Sequence, residues 1–66
     1  MDGYGVRLGR WLIRQDGGTM MMSLYLDDVI QEEWQGEKLY SFEELREILT
    51  VRSYERIRSE RDGVHQ

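Results

Sequence analysis

The sequence predicts a small α+β domain in which an N-terminal antiparallel β-hairpin packs against a C-terminal α-helix. Two strand-like stretches flank the turn sequence Asp16-Gly17-Gly18, whose glycines accept positive φ without steric cost. Apolar residues alternate as far as Leu26 and repeat at helical spacing after Ser41. Glu44 follows Ser41 at the spacing of a capping box, which predicts that a helix begins at Phe42.

The first predicted strand covers residues 4–14. Its apolar residues change from even to odd positions at Gly9. A glycine at such an inversion is typical of a β-bulge, although a loose N-terminal segment followed by a short strand from Arg10 would give the same pattern.

The second predicted strand runs from Thr19 to Leu26 and completes the hairpin. The buried row on one face is predicted to be Met20, Met22, Leu24 and Leu26. The opposite face then carries Met21, Ser23 and Tyr25, and we expect Trp11 to lie there as well. A hairpin with large side chains on both faces needs another element packed on each face.

Residues 28–35 admit two interpretations. In a short helix, Asp28 and Gln31 would form a capping pair and Gly36 would end the helix. In a strand, Ile30 would continue the even-numbered row. The helix is favoured because acidic residues are poor strand formers and stabilise the first turn of a helix.

A brief extended segment at Leu39 and Tyr40, which could add a third strand, is expected to precede the C-terminal helix. This helix should run from Phe42 at least to Leu49 and pack Phe42 and Leu45 on the hairpin. Either it ends near Thr50, or it continues and presents a second apolar face.

That second apolar face would consist of Val51, Tyr54 and Ile57, which lie on the opposite side of a continuous helix. Helix propensity is good as far as Arg61, and Asp62-Gly63 is a plausible stop. The chain is therefore expected to form one domain over residues 1–62, followed by a disordered tail over residues 63–66.

Composition restricts the location and the chemistry of the chain. Cysteine is absent, which excludes disulfides. Without a signal-like or transmembrane segment, the expected location is the cytoplasm, with no membrane association. The only histidine, His65, lies in the predicted tail, where no neighbours could tune its pKa. We therefore expect no enzymatic activity, no catalytic residues and no cofactor.

Metal binding is also not expected. Asp27, Asp28, Glu32 and Glu33 could place carboxylates on neighbouring turns, and oxygen ligands suit Mg²⁺ or Ca²⁺. Their spacing does not follow the calcium-loop pattern, so a solvated acidic surface is the preferred interpretation.

The main functional hypothesis is a small, non-enzymatic protein-interaction or regulatory module, with self-association into a homodimer as one form of it. The short chain, the two-sided hairpin and the change of apolar face along the helix motivate this hypothesis. The predicted interface residues are Trp11, Met21, Tyr25, Val51, Tyr54 and Ile57.

The alternative hypothesis is a nucleic-acid-associated regulator with arginine and aromatic side chains on its surface. The candidate residues are Arg7, Arg10, Arg14, Arg52, Arg56 and Arg58. The charge distribution opposes it. The chain has a net charge of −4, and residues 27–47 alone carry −6, whereas phosphate binding depends on an excess of basic residues.

Overall fold

The computed structural model describes the backbone of residues 3–64 and the side chains of residues 3–60. Within residues 3–64, four antiparallel strands form one sheet in the order β1-β2-β3-β4, and a single helix covers one face of it. The elements are β1 (Gly3–Leu8), β2 (Trp11–Asp16), β3 (Met21–Leu26), β4 (Val29–Gln35) and α1 (Phe42–Val64). The predicted α+β class is confirmed, and strands β2 and β3 form the predicted hairpin.

The first predicted strand is two strands, β1 and β2, joined by a turn at Gly9 and Arg10. Gly9 has a φ of 62°, which suits the first position of a type II′ hairpin turn. The predicted bulge is therefore wrong. Because the chain reverses here, Val6 pairs with Ile13, and the even- and odd-numbered apolar residues come to the same face.

The expected position of Trp11, opposite the methionine row, is also wrong for this reason. Trp11 pairs with Leu26 and packs against the core under α1. The second predicted strand begins at Met21 instead of Thr19. Met20 adopts a φ of 63°, and its N–H donates to the carbonyl of Asp16 at 2.9 Å, so Met20 closes the turn.

Strand β4 covers most of residues 28–35, so the favoured helix is wrong and the strand alternative is confirmed. Its expectation that Ile30 continues the even-numbered row is wrong, because Ile30 pairs with Tyr25 and lies on the opposite face. Asp27 and Asp28 both have positive φ, at 51° and 64°, and form a two-residue turn of the type I′ pattern. Asp28 is thus a turn residue instead of a helix cap. Pairing with β3 outweighs the weak strand propensity of the acidic residues.

An irregularity in the β3–β4 pairing decides which residues of β4 face the helix. Tyr25 pairs with Ile30 but Leu24 pairs with Glu32, so Gln31 is the extra residue of a bulge. Trp34, which pairs with Met22, therefore shares the helix-covered face with Glu32.

The connection between β4 and α1 contains no strand, so the predicted extended segment at Leu39 and Tyr40 adds none. A buried glutamine holds this connection. The Gln15 amide donates to the carbonyl of Lys38 at 2.7 Å and its oxygen accepts from the N–H of Tyr40 at 2.8 Å. The single hydroxyl proton of Tyr4 is shared between the carbonyl of Tyr40, which lies closer, and the same Gln15 oxygen at 3.2 Å.

Helix α1 begins with the predicted capping box. The Ser41 N–H donates to the Glu44 carboxylate at 3.0 Å, and the Glu44 N–H donates to the Ser41 hydroxyl at 3.2 Å. The helix continues past Thr50, which confirms the second of the two alternatives. It also continues past Asp62-Gly63, so the stop predicted there is wrong. The remainder of the predicted tail, His65 and Gln66, lies outside the described residues.

The core lies between α1 and the sheet. Its fully buried apolar side chains are Ile13, Met22, Leu24, Leu45 and Leu49. Phe42, which was expected to pack on the hairpin, is 63% exposed and touches it only through an edge contact with the Tyr4 ring at 5.4 Å. The helix lies closest to β1 and β2.

Candidate functional site

The face of the sheet opposite α1 is not covered by any other element of residues 3–64. Its residues alternate along each strand with those that face the helix. We call this surface the open face. Its side chains are those of Arg7, Leu12, Arg14, Asp16, Met21, Ser23, Tyr25, Ile30, Glu33 and Gln35, and Gly3 and Gly5 complete it.

The strand register arranges the open face in rows that cross the strands. The first row is mainly apolar and consists of Arg7, Leu12, Tyr25 and Ile30. The middle row consists of two small residues, Gly5 and Ser23, and two charged residues, Arg14 and Glu33. Beyond it, Asp16 lies beside Gly3 and Met21 lies beside Gln35. The surface thus combines apolar contact area with charges of both signs.

Small residues leave a shallow hollow in the open face. Its volume is about 590 Å³, and it lies among Gly3, Arg14, Met21, Ser23, Tyr25 and Glu33. The hollow is broad and open to solvent, whereas a small-molecule site usually encloses most of its ligand. This shape suits protruding side chains of another protein.

Gly5 lies beside Arg14 in the register, where there is no room for a side chain. A Cβ atom at Gly5 would lie 2.6 Å from the carbonyl oxygen of Ile13 and 3.1 Å from the Cγ atom of Arg14. Glu33 lies two strands away from Arg14, beyond Ser23. Within residues 3–60, neither Arg14 nor Glu33 forms an ion pair.

Asp16 carries a negative charge at the end of the open face, but the adjoining turn uses it. Its carboxylate accepts the backbone N–H of Gly18 at 2.8 Å and that of Thr19 at 3.4 Å. These two hydrogen bonds lower the pKa of Asp16. Asp16 therefore stabilises the turn, while Arg14 and Glu33 remain the charges available to a partner.

Two of the arginines predicted for nucleic-acid binding bridge the turns at one end of the sheet. Arg7 pairs with Asp28 at 3.0 Å, and Arg10 pairs with Asp27. The guanidinium of Arg10 lowers the pKa of Asp27, mainly through their hydrogen bonds. The N–H of Asp27 also donates to the carbonyl of Arg10 at 2.9 Å, which fixes the two turns to each other.

Two further arginines of that set hold the middle of α1 to β4. Arg52 contacts Glu32 at 2.5 Å, and its guanidinium lies 4.4 Å from the centroid of the Trp34 ring. Arg56 donates to the carbonyl of Gln31 at 3.1 Å and lies 3.5 Å from Glu32. Both arginines therefore serve the packing of the helix on the sheet.

The predicted nucleic-acid residues consequently do not form one basic surface. Arg7, Arg10, Arg52 and Arg56 are engaged by carboxylates at two separate places. Arg14 lies on the open face, on the other side of the sheet from α1, whereas Arg58 belongs to the helix.

The predicted protein-interface residues also separate into three places. Trp11 packs against the core, and Met21 and Tyr25 lie on the open face. Val51, Tyr54 and Ile57 belong to α1, are not part of the buried core, and are 52%, 67% and 48% exposed. We call these three helical residues the outer stripe. The sheet separates the outer stripe from the open face, so one flat partner surface could not contact both.

Several open-face residues were absent from the predicted interface. Leu12, Arg14, Ile30 and Glu33 became visible as neighbours of Tyr25 and Ser23 only through the register. The alternation of Leu12 with Trp11 and Ile13 was present in the sequence, but its pairing with Tyr25 required a turn that extends to Met20. Ile30 and Glu33 required the unexpected fourth strand.

The structure provides no grouping suited to metal chemistry within the described residues. No set of three or more His, Asp or Glu side chains there could hold a metal ion. Of the carboxylates considered from the sequence, Asp27 belongs to a turn, Glu32 lies under α1 and Glu33 is on the open face. Within the described residues, α1 does not combine the length and apolarity needed to cross a membrane.

Comparisons of the chain with protein-family models, with curated proteins and with solved structures find no match. Functional inference therefore depends on the surfaces described above.

Proposed function

We propose that this chain is a non-enzymatic protein-interaction module whose binding surface is the open face. The observation that carries the proposal is the apolar row of Leu12, Tyr25 and Ile30 beside the charged middle row on an uncovered sheet face. Aromatic and aliphatic side chains supply contact area at protein interfaces, and charges beside them select the partner.

The charge pattern favours a protein partner over a nucleic acid. Arg14 and Glu33 place opposite charges in the same row, so the open face does not attract a polyanion along its length. Phosphate binding requires several uncompensated basic side chains, and four of the six candidate arginines contact carboxylates of the same chain.

The open face is also a better binding surface than the outer stripe. Val51, Tyr54 and Ile57 follow each other at three-residue spacing, so they spread over about 120° of the convex surface of α1. The open face instead places Leu12, Tyr25 and Ile30 on adjacent strands, where their side chains are neighbours.

Two matched photocrosslinking variants test the proposal. A photoreactive phenylalanine analogue replaces either Tyr25 on the open face or Tyr54 on the outer stripe, and the source cells are irradiated. We expect protein adducts from position 25 and few from position 54. Adding Leu12→Ser to the position-25 variant should reduce its adducts, because it removes an apolar neighbour.

Adducts confined to position 54, or an absence of protein adducts at position 25, would contradict this function. A gel-shift titration over a range of salt concentrations tests the nucleic-acid alternative. The proposed function predicts no binding at low salt, whereas phosphate contacts would give binding that weakens steeply as salt rises. The cytoplasmic location expected from the lack of cysteine remains a prediction, and localisation of the chain in those cells checks it.

A further inference from the structure

We infer that the partner seated on the open face is a second copy of this chain, so that two sheets stack face to face as a symmetric dimer. This inference rests on the function proposed above. The two-fold axis would lie between the sheets and run parallel to β3. The strand register specifies which side chains would then meet, and their chemistry is self-complementary.

The geometry follows from the regular spacing of strands. Neighbouring strands lie about 4.8 Å apart, so β2 and β4 are equally distant from β3 on either side of it. Rotation by 180° about an axis along β3 therefore places β2 of one copy opposite β4 of the other. The rotation preserves the level along the strands, so residues of the same row face each other.

In the apolar row, Leu12 of one copy would face Ile30 of the other. Tyr25 would face Tyr25 of the other copy across the axis. Met21, at the start of β3, would likewise face Met21 of the other copy. Ile30 is 47% exposed in the single chain, so its burial would remove apolar surface from water.

In the middle row, Arg14 of one copy would face Glu33 of the other, while Ser23 would face Ser23 on the axis. The symmetry repeats the Arg14–Glu33 pairing, so the dimer contains it twice. Within residues 3–60 both side chains lack an ion-pair partner in their own chain, so each is available to the second copy.

The charges also select this axis over the other in-plane axis. A two-fold axis across the strands at the level of Ser23 would stack β2 on β2 and β4 on β4. Arg14 would then face Arg14, and Glu33 would face Glu33. Like charges opposed at an interface are unfavourable, so only the axis parallel to β3 places opposite charges against each other in the middle row.

The size of the contact sets the expected affinity. Stacked sheets pack about 10 Å apart with their strands nearly aligned, and three short strands cover roughly 300 Å² in projection. Counted over both copies, this area is about 600 Å², below the roughly 1,000 Å² of a stable interface, so we expect a weak dimer with a Kd on the order of 100 µM. β1 would remain at the margin of the contact, where Arg7 is paired with Asp28 of its own chain.

Charge-swap variants test both the dimer and its axis by sedimentation velocity between about 5 µM and 500 µM. Arg14→Glu would oppose two pairs of carboxylates, and Glu33→Arg would oppose two pairs of guanidinium groups. We expect each variant alone to dissociate at least tenfold more readily than the original chain. Mixing the two variants should restore association, because both cross-pairs become attractive, and so should Arg14→Glu combined with Glu33→Arg in one chain.

Circular dichroism of each variant checks that the fold is retained, and both positions are exposed in the single chain. A chain that stays monomeric at the highest concentration, or charge reversals without effect on a dimer, would overturn the inference. The photocrosslinking result distinguishes failure of the dimer from failure of the proposed function. Photocrosslinks from position 25 to a different protein would retain that function and reject the dimer, whereas the absence of every protein adduct would reject both.

Discussion

The two faces of the sheet are built from alternate residues of the same strands, yet they differ in nearly every physical property. On the covered face, Ile13, Met22 and Leu24 are 0% exposed. The buried Gln15 has each of its polar atoms hydrogen-bonded there. On the open face, apolar side chains remain partly exposed near Arg14 and Glu33, which have no ion-pair partner within residues 3–60.

In a very small domain, alternate residues of the same strand can thus serve different purposes, one face stabilising the fold and the other binding a partner. A chain of this length has only a few kcal/mol of net stability, and the covered face supplies most of its buried apolar area. Residues of the open face can be substituted without unfolding the chain. Substitutions on the two faces should therefore have separable effects on stability and on binding.

The largest difference is expected between two leucines on adjacent strands. Leu24→Ala should lower the free energy of unfolding by about 3 kcal/mol, because it leaves a cavity in a fully buried site. Leu12→Ala removes the same atoms from the open face, where the loss should stay below about 1 kcal/mol. Urea denaturation measures both. Equal losses at the two positions would show that the open face also maintains the fold.

A smaller loss is expected from Gln15, the polar side chain of the covered face. Gln15→Leu would leave the N–H of Tyr40 and the carbonyl of Lys38 without their partners, at a cost of about 2 kcal/mol. Tyr4→Phe keeps the glutamine and removes only one hydroxyl, so it should cost about 1 kcal/mol. Thermal unfolding of both variants checks this order, and a Gln15→Leu variant as stable as the original chain would contradict it.

The smallest effect should come from acidification, which acts on carboxylates at turns of the sheet and at the start of α1. The folded chain lowers the pKa of Asp16, Asp27 and Glu44 through backbone N–H groups, Arg10 and Lys38. A carboxylate with a lowered pKa stabilises the fold above its unfolded pKa, and this contribution is lost as pH falls. Melting temperatures should thus decline below about pH 4. A decline that begins near neutral pH would point to other groups.

The sequence predicted the elements whose signals are local. The capping box at Ser41 and the turn at Asp16-Gly17-Gly18 each depend on a few neighbouring residues, and both were correct. The fourth strand was missed because its turn is Asp27-Asp28 instead of the usual Asn-Gly, and because its acidic residues resemble a helix start. Only pairing with β3 makes this segment a strand.

The candidate surface was only half predictable for the same reason. Met21 and Tyr25 follow from the alternation along β3, but their neighbours Ile30 and Glu33 depend on the missed strand. Trp11 was misplaced because an inversion of parity has the same pattern whether it marks a bulge or a turn. Register between strands is a tertiary property, and this surface is defined by register.

If two copies of the chain associate through the open face, and not through the outer stripe, dilution should change only the surroundings of the open-face side chains. NMR spectra of the side chains, recorded during dilution from about 500 µM to 5 µM, measure this. We expect concentration-dependent shifts for Leu12, Tyr25 and Ile30, with Val51, Tyr54 and Ile57 unchanged. Shifts confined to Val51, Tyr54 and Ile57 would contradict association through the open face.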